Sequence, residues 1–251
     1  MASASTDRTA VDSASRLTDL RLLHLADSAL PIGALAHSLG LETLAAHGVL
    51  VAGNLQSFLQ GWLAETGLLE AVFCRESFGL AGAAAESISS ERWLEINCML
   101  SARKTARESR IGSLTLGRNF LSTVMAIEEL PSLGKLLALS EQGKHEPELR
   151  RGAAHYCVAF GLVAGLLGFG QRRTVLTYLH QSIAGMVSGC QRLLPLGQTE
   201  AARILWDLKP LIVETQELSA AYACDDVFSF MPLLDWGAME HPALSTRLFV
   251  S

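Results

Sequence analysis

A chain of 251 residues, 49% of them hydrophobic and only 18% charged, can bury roughly 70–75% of its unfolded surface, so it needs no disulfide or metal staple to hold a core. Its net charge of −5, from 20 basic and 25 acidic residues, excludes a broad electrostatic attraction to nucleic acid phosphates. A mean hydropathy of +0.28 is high for a soluble monomer and leaves apolar surface for a partner to cover, which points to a homodimer.

In chain order, residues 1–16 come first as a flexible tail, rich in Ser and Ala and without the basic start and apolar core of a secretory signal. Residues 17–251 read as one all-α domain. Helices are expected over Leu17–Ala29 and Ala34–His47, separated by the Pro31-Ile32-Gly33 break. Asn54 then stands as an N-cap before Leu55, Phe58, Leu59, Trp62 and Leu63, the i, i+3, i+4 pattern of one apolar face. After Ser89 and Ser90 the same spacing runs from Trp93, Ile96 and Leu100 through Ile111 and Leu114 toward Leu121, one long helix with possible interruptions at Gly112 or Gly117. Further helices are expected over Ser132–Glu141, Glu148–Leu167, Thr174–Leu194, Thr199–Leu208, with Thr199 as its cap, and Leu211–Ala223. The seven prolines fall between or near the ends of these segments, and no run alternates as a strand would. From Phe230 onward the chain carries no clear period and reads as a non-regular tail.

The longest apolar run, Tyr156–Gly170, is shorter than the roughly 20 residues that cross a bilayer, so no membrane role is expected. Its Gly161, Gly165 and Gly168 would let backbones approach closely, in a buried helix or a dimer interface. The five cysteines form no C-x-x-C pair and read as reduced, mostly buried side chains of a cytoplasmic protein.

Nucleotide-binding, zinc-protease and serine-hydrolase motifs are missing, and no two histidines have the i, i+4 spacing of a helical metal site. No cofactor is expected. His37 stands out among seven histidines, just past the Pro31 break, beside Ser38 and five residues before Glu42. Arg103, Lys104, Arg107 and Arg110 make a basic stripe with 103, 107 and 110 on one helical face, suited to an acidic protein surface or to plain solvation. Pro195–Thr199 reads as a turn between helices, with Arg192 the one nearby cation should its helix N-terminus hold an anion.

Three blocks resemble the UreF family: LLHLADSALPIGALAHSLGLETLAAHGVL from Leu22 to Leu50, RLLPLGQTEAARIL from Arg192 to Leu205, and TRLFVS from Thr246 to Ser251. Departures fall inside or near these blocks. Leu35 stands where many members carry an aromatic, Ala34 where Gly or Ala is usual, Pro242 where an acid is common, and Val250 where Arg is frequent. The resemblance implies an all-helical, dimeric, non-enzymatic protein that binds the accessory protein UreD or UreH and the GTPase UreG, and helps deliver nickel to apo-urease. Partner contacts are expected at His37, Ser38 and Glu42, at Arg103, Arg107 and Arg110, and at Arg247, Leu248, Phe249 and Ser251. Within the last group, Leu248 and Phe249 are expected to be buried together when the tail docks. The alternative is a helical metal carrier or an enzyme whose site is assembled from scattered His, Cys and acidic residues.

Overall fold

The computed structural model describes residues 16–81, 88–142 and 154–250, and every regular element among them is helical. Helix α1 spans 16–25 and buries Leu22 and Leu25 while Leu17, Leu20 and Leu23 face outward. It stops where the Asp27 carboxylate accepts from the Ala29 N–H at 2.8 Å, a local bond that competes with the helix ladder.

The expected helix over Ala34–His47 is in fact a single tight turn, Ala34–Ala36, followed by an extended His37 and by α2, Leu41–Ala46. Leu39 and Gly40 take left-handed backbone, φ 53° and 99°. Helix α12, Pro232–Glu240, requires this break. A Cβ on Gly40 would lie 2.7 Å from Leu234 O, and one on Gly237 would lie 2.7 Å from Gly40 O, so two glycines let α2 and α12 touch backbone to backbone. The non-regular C-terminus expected from Phe230 is corrected by the same helix, which begins on Pro232, a residue whose fixed φ suits a first turn.

Helix α3, Leu55–Trp62, continues through one wide turn, Leu63–Gly67, into α4, Leu68–Gly79. Asn54 holds the N-cap position of α3, as expected, but makes no side-chain capping bond to it. Its side chain accepts from Val51 N–H and donates to Val49 O, which ties the preceding loop instead. The long helix expected after Ser89 is two: α5, Ser90–Arg103, capped by Ser89 Oγ, and α6, Arg107–Ile127. The chain turns at Lys104–Ala106, ahead of the glycines. There the Arg110 guanidinium donates to Lys104 O at 2.6 Å and takes up a carbonyl orphaned by the break.

Helix α7 spans Pro131–Gln142, and the start of the helix expected at Glu148 lies outside the described residues. Helix α8, Tyr156–Leu166, is the axis of the fold, packed against α4, α6 and α9, Gln171–Leu193. Its residues 157–164 are all buried, which is why the run is apolar all round. The dimer-interface reading of its glycines is corrected here. A Cβ on Gly161 would drive into Cys74 O, and one on Gly165 would sit 2.6 Å from Phe78 O, both on α4 of the same chain. The two ring nitrogens of buried His155, just before α8, are hydrogen-bonded to Ser101 Oγ of α5 at 2.8 Å and Ser113 Oγ of α6 at 3.0 Å, while its backbone N–H donates to Asn97 Oδ1.

Helices α10, Gln198–Asp207, and α11, Lys209–Ser219, complete the layer beside α9. Thr199 falls inside the first turn of α10, so it is not the cap. Cys74, Cys157, Cys190 and Cys224 are buried free thiols and Cys98 is exposed. No described helix is long and apolar enough to cross a membrane.

Candidate functional site

Glu42 lies on the buried side of α2 with Leu41, Thr43 and Leu44, only 5% exposed. A carboxylate so placed is costly unless donors surround it. Three do: its Oε2 meets His241 Nε2 at 2.8 Å and Phe249 N–H at 3.2 Å, and its Oε1 accepts Leu248 N–H at 2.5 Å. Each is a hydrogen bond accepted by the carboxylate, one of the stronger classes of polar contact. Val250 N–H donates to Ala36 O at 2.8 Å, and the Phe249 ring lies under the Arg192 guanidinium at 4.4 Å, next to Gly189. The C-terminal segment is thereby laid across the N-terminal block and α9.

Of the expected contact residues, Glu42 and Phe249 come together. Leu248 does not follow Phe249 inward: it is 57% exposed against 6%. Arg247 is exposed, and Ser251 lies outside the described residues. Ser38 is buried, with no hydrogen-bond partner for its hydroxyl among the described residues. His37 is half-buried, and burial pushes its imidazole below the ordinary value, toward the neutral form at pH 7. Both line a cavity of ≈ 470 Å³ that also reaches Glu70, Lys104, Tyr178 and Phe249.

The basic stripe is corrected. With the chain turning at Lys104–Ala106, Arg103, Arg107 and Arg110 no longer share a helical face. Arg103 donates to Val227 O at 3.0 Å and Asp225 O at 3.4 Å, holding the loop between α11 and α12, and Arg110 serves the α5–α6 break. Arg107 alone of the three is largely solvent-facing, 3.9 Å from Glu108.

Sequence reasoning missed a buried cluster under this stripe. Lys104 Nζ pairs with Glu70 Oε1 at 2.6 Å, and Tyr178 OH donates to Glu70 Oε2 at 2.8 Å. Burial by itself pushes the Lys104 ammonium down, but the Glu70 charge and hydrogen bond outweigh it, so the ammonium is held above its ordinary value. The one available signal was Glu70 itself, a lone carboxylate within the apolar run Leu68, Leu69, Ala71, Val72.

The UreF family model matches residues 49–209. Proteins named urease accessory protein UreF are similar over almost the full chain. That of Haemophilus influenzae (strain PittEE) is 32% identical, over 94% of this chain and 97% of its own. That of Picosynechococcus sp. (strain ATCC 27264 / PCC 7002 / PR-6) is 33% identical, over 94% and 100%, and that of Actinobacillus pleuropneumoniae serotype 5b (strain L20) is 30% identical, over 92% and 97%. On the family match and the full-length similarity, the chain belongs to the UreF family of urease accessory proteins.

Proposed function

We propose that this chain is a cytoplasmic, non-enzymatic, homodimeric scaffold that joins a UreD/UreH-type accessory protein to a UreG-type GTPase during nickel insertion into apo-urease. Nickel is cargo of the assembly in this reading, and the chain itself carries no cofactor. The observation that supports it best is the Glu42 carboxylate receiving two backbone N–H groups of the C-terminal segment. Two of the three blocks that resemble the family, at opposite ends of the sequence, thereby form one continuous surface. Half-buried His37 and the exposed Arg247 and Leu248 are the side chains a partner could reach there, whereas Ser38 is buried. A surface assembled from both chain ends is suited to recognition, since a partner can read whether the segment is docked.

The test is deletion from Thr246 onward, with two readouts. Capture of the GTPase by the complex with the UreD/UreH-type partner should be lost, while the sedimentation of the chain stays that of a dimer. Unchanged capture and urease activation would overturn the role given to the tail, and a monodisperse monomer of the full chain at micromolar concentration would overturn the dimer.

A further inference from the structure

The loop between α11 and α12 exposes two phenylalanines where a soluble surface gains nothing from them. Phe228 is 68% exposed and Phe230 is 79% exposed, two residues apart on a stretch without regular structure. Single exposed apolar residues are ordinary, but a neighbouring pair of aromatics held in place is not. This loop is held. Arg103 donates to Val227 O and Asp225 O and lies over the Phe228 ring at 5.0 Å. Arg75 donates to Tyr222 O at 2.5 Å, the hydroxyls of Thr66 and Ser229 meet at 2.9 Å, and the Glu65 carboxylate receives Phe230 N–H at 2.9 Å. Between the two exposed rings Ser229 is half-buried, its hydroxyl engaged with Thr66. Buried Cys224 and Val227 pin the base of the loop.

Charge limits what can cover such a surface. From Lys209 to Arg247 the intervening sequence has no lysine or arginine, but it carries Glu214, Glu217, Asp225, Asp226, Asp235 and Glu240. Asp225 and Asp226, beside the phenylalanines, are both exposed. Of the cations near the loop, Arg75 and Arg103 each donate to its carbonyls, and Arg92 pairs with Glu95. A second copy of the same loop would bring acid against acid. The complementary surface is apolar at its centre and basic at its rim.

We propose that residues 222–230 form a preorganised docking loop for a protein partner that presents an apolar cleft rimmed by lysine or arginine, with Phe228 and Phe230 as its anchors. Because the loop is already ordered, binding pays little of the entropy that a mobile segment would lose, and the acids steer the encounter. Arg103 acts through the loop as a positioning residue and does not itself touch the partner.

This rests on the scaffold reading, and the experiment separates the two. The full-length chain, F228S/F230S and D225K/D226K are each titrated against the purified UreD/UreH-type protein, the GTPase in the presence of that protein, and apo-urease, with melting temperature and circular dichroism as controls on the fold. The double phenylalanine variant should weaken one of these contacts about thirtyfold or more at unchanged melting temperature. The charge reversal should weaken the same contact and abolish its sensitivity to salt. Unchanged affinity for all three in both folded variants overturns the docking loop and leaves the scaffold standing. A change confined to dimerisation also overturns it, by making a second copy the occupant. If the wild-type chain binds none of the three, the scaffold reading falls and this inference falls with it.

Discussion

A single carboxylate gathers three of the contacts that hold the C-terminal segment. Glu42 accepts from His241 and from the amides of Leu248 and Phe249, all donors, so a side chain that brings a donor of its own cannot replace it. Glu42→Gln keeps the shape of the side chain but turns an NH₂ toward one of those groups and removes the charge. We expect it to cost about 1–3 kcal/mol in chemical unfolding and to make the bond after Arg247 sensitive to trypsin in the otherwise folded chain. Wild-type stability and wild-type resistance in the variant would mean that Phe249 packing alone seats the segment. Glu42 was legible in the sequence as a candidate residue, since it stands in the first of the family-like blocks. Its partners were not, because His241 and the tail amides lie about 200 residues away and a sequence carries no mark of who donates to whom.

Helices were legible wherever an apolar stripe repeated, and their ends were less so. Ile111 stands eleven residues after Leu100, about three full turns at 3.6 residues per turn, so the apolar stripe returns in phase and conceals the break at Lys104–Ala106. Helix α12 was missed for the opposite reason: the stretch from Phe230 shows no clear period and its Pro232 reads as punctuation, although that proline starts the helix and Gly237 is the point where α2 presses against it. The glycines of α8 were read correctly as close-approach residues, yet spacing cannot say whether the approaching backbone belongs to another copy or to α4. Gly161→Ala distinguishes these cases. If α4 is the neighbour, the added methyl has nowhere to go, and the chain should lose about 1–3 kcal/mol or more in unfolding free energy with its sedimentation unchanged. Gly185→Ala on α9, where nothing lies within 4 Å of the new Cβ, is the control and should gain about 0.5–1 kcal/mol. A G161A chain of normal stability that no longer dimerises would restore the interface reading.

Across the whole molecule the Glu70–Lys104–Tyr178 cluster joins elements that hydrophobic packing alone would leave free to slide, binding α4 and α9 to the joint between α5 and α6. It escaped sequence reading because Lys104 belongs to a basic stretch and so looks solvated, whereas the break turns it inward to side-chain contacts that are about 10% exposed. A buried pair of this kind adds little over an apolar replacement, but losing one member is costly because the other stays buried and charged. Lys104→Met should therefore destabilise by about 3–5 kcal/mol, while Glu70→Gln in the same chain should recover much of that loss, since glutamine still accepts from Tyr178 without a charge. The pH dependence has a definite sign. The Lys104 ammonium is raised in the folded chain and titrates near 10.4 when unfolded, so its contribution is complete below about pH 10 and is lost as pH climbs through the folded value. Unfolding free energies followed from pH 8 upward should fall for both proteins, because burial also raises the Cys190 and Cys224 thiols to about 12, and the unfolded state then releases those protons first. Above about pH 10 the wild-type curve should descend more steeply than that of K104M, and the two should converge. Parallel curves across that range would mean that Lys104 is not held as an ammonium by Glu70, and the cluster would then be no clamp.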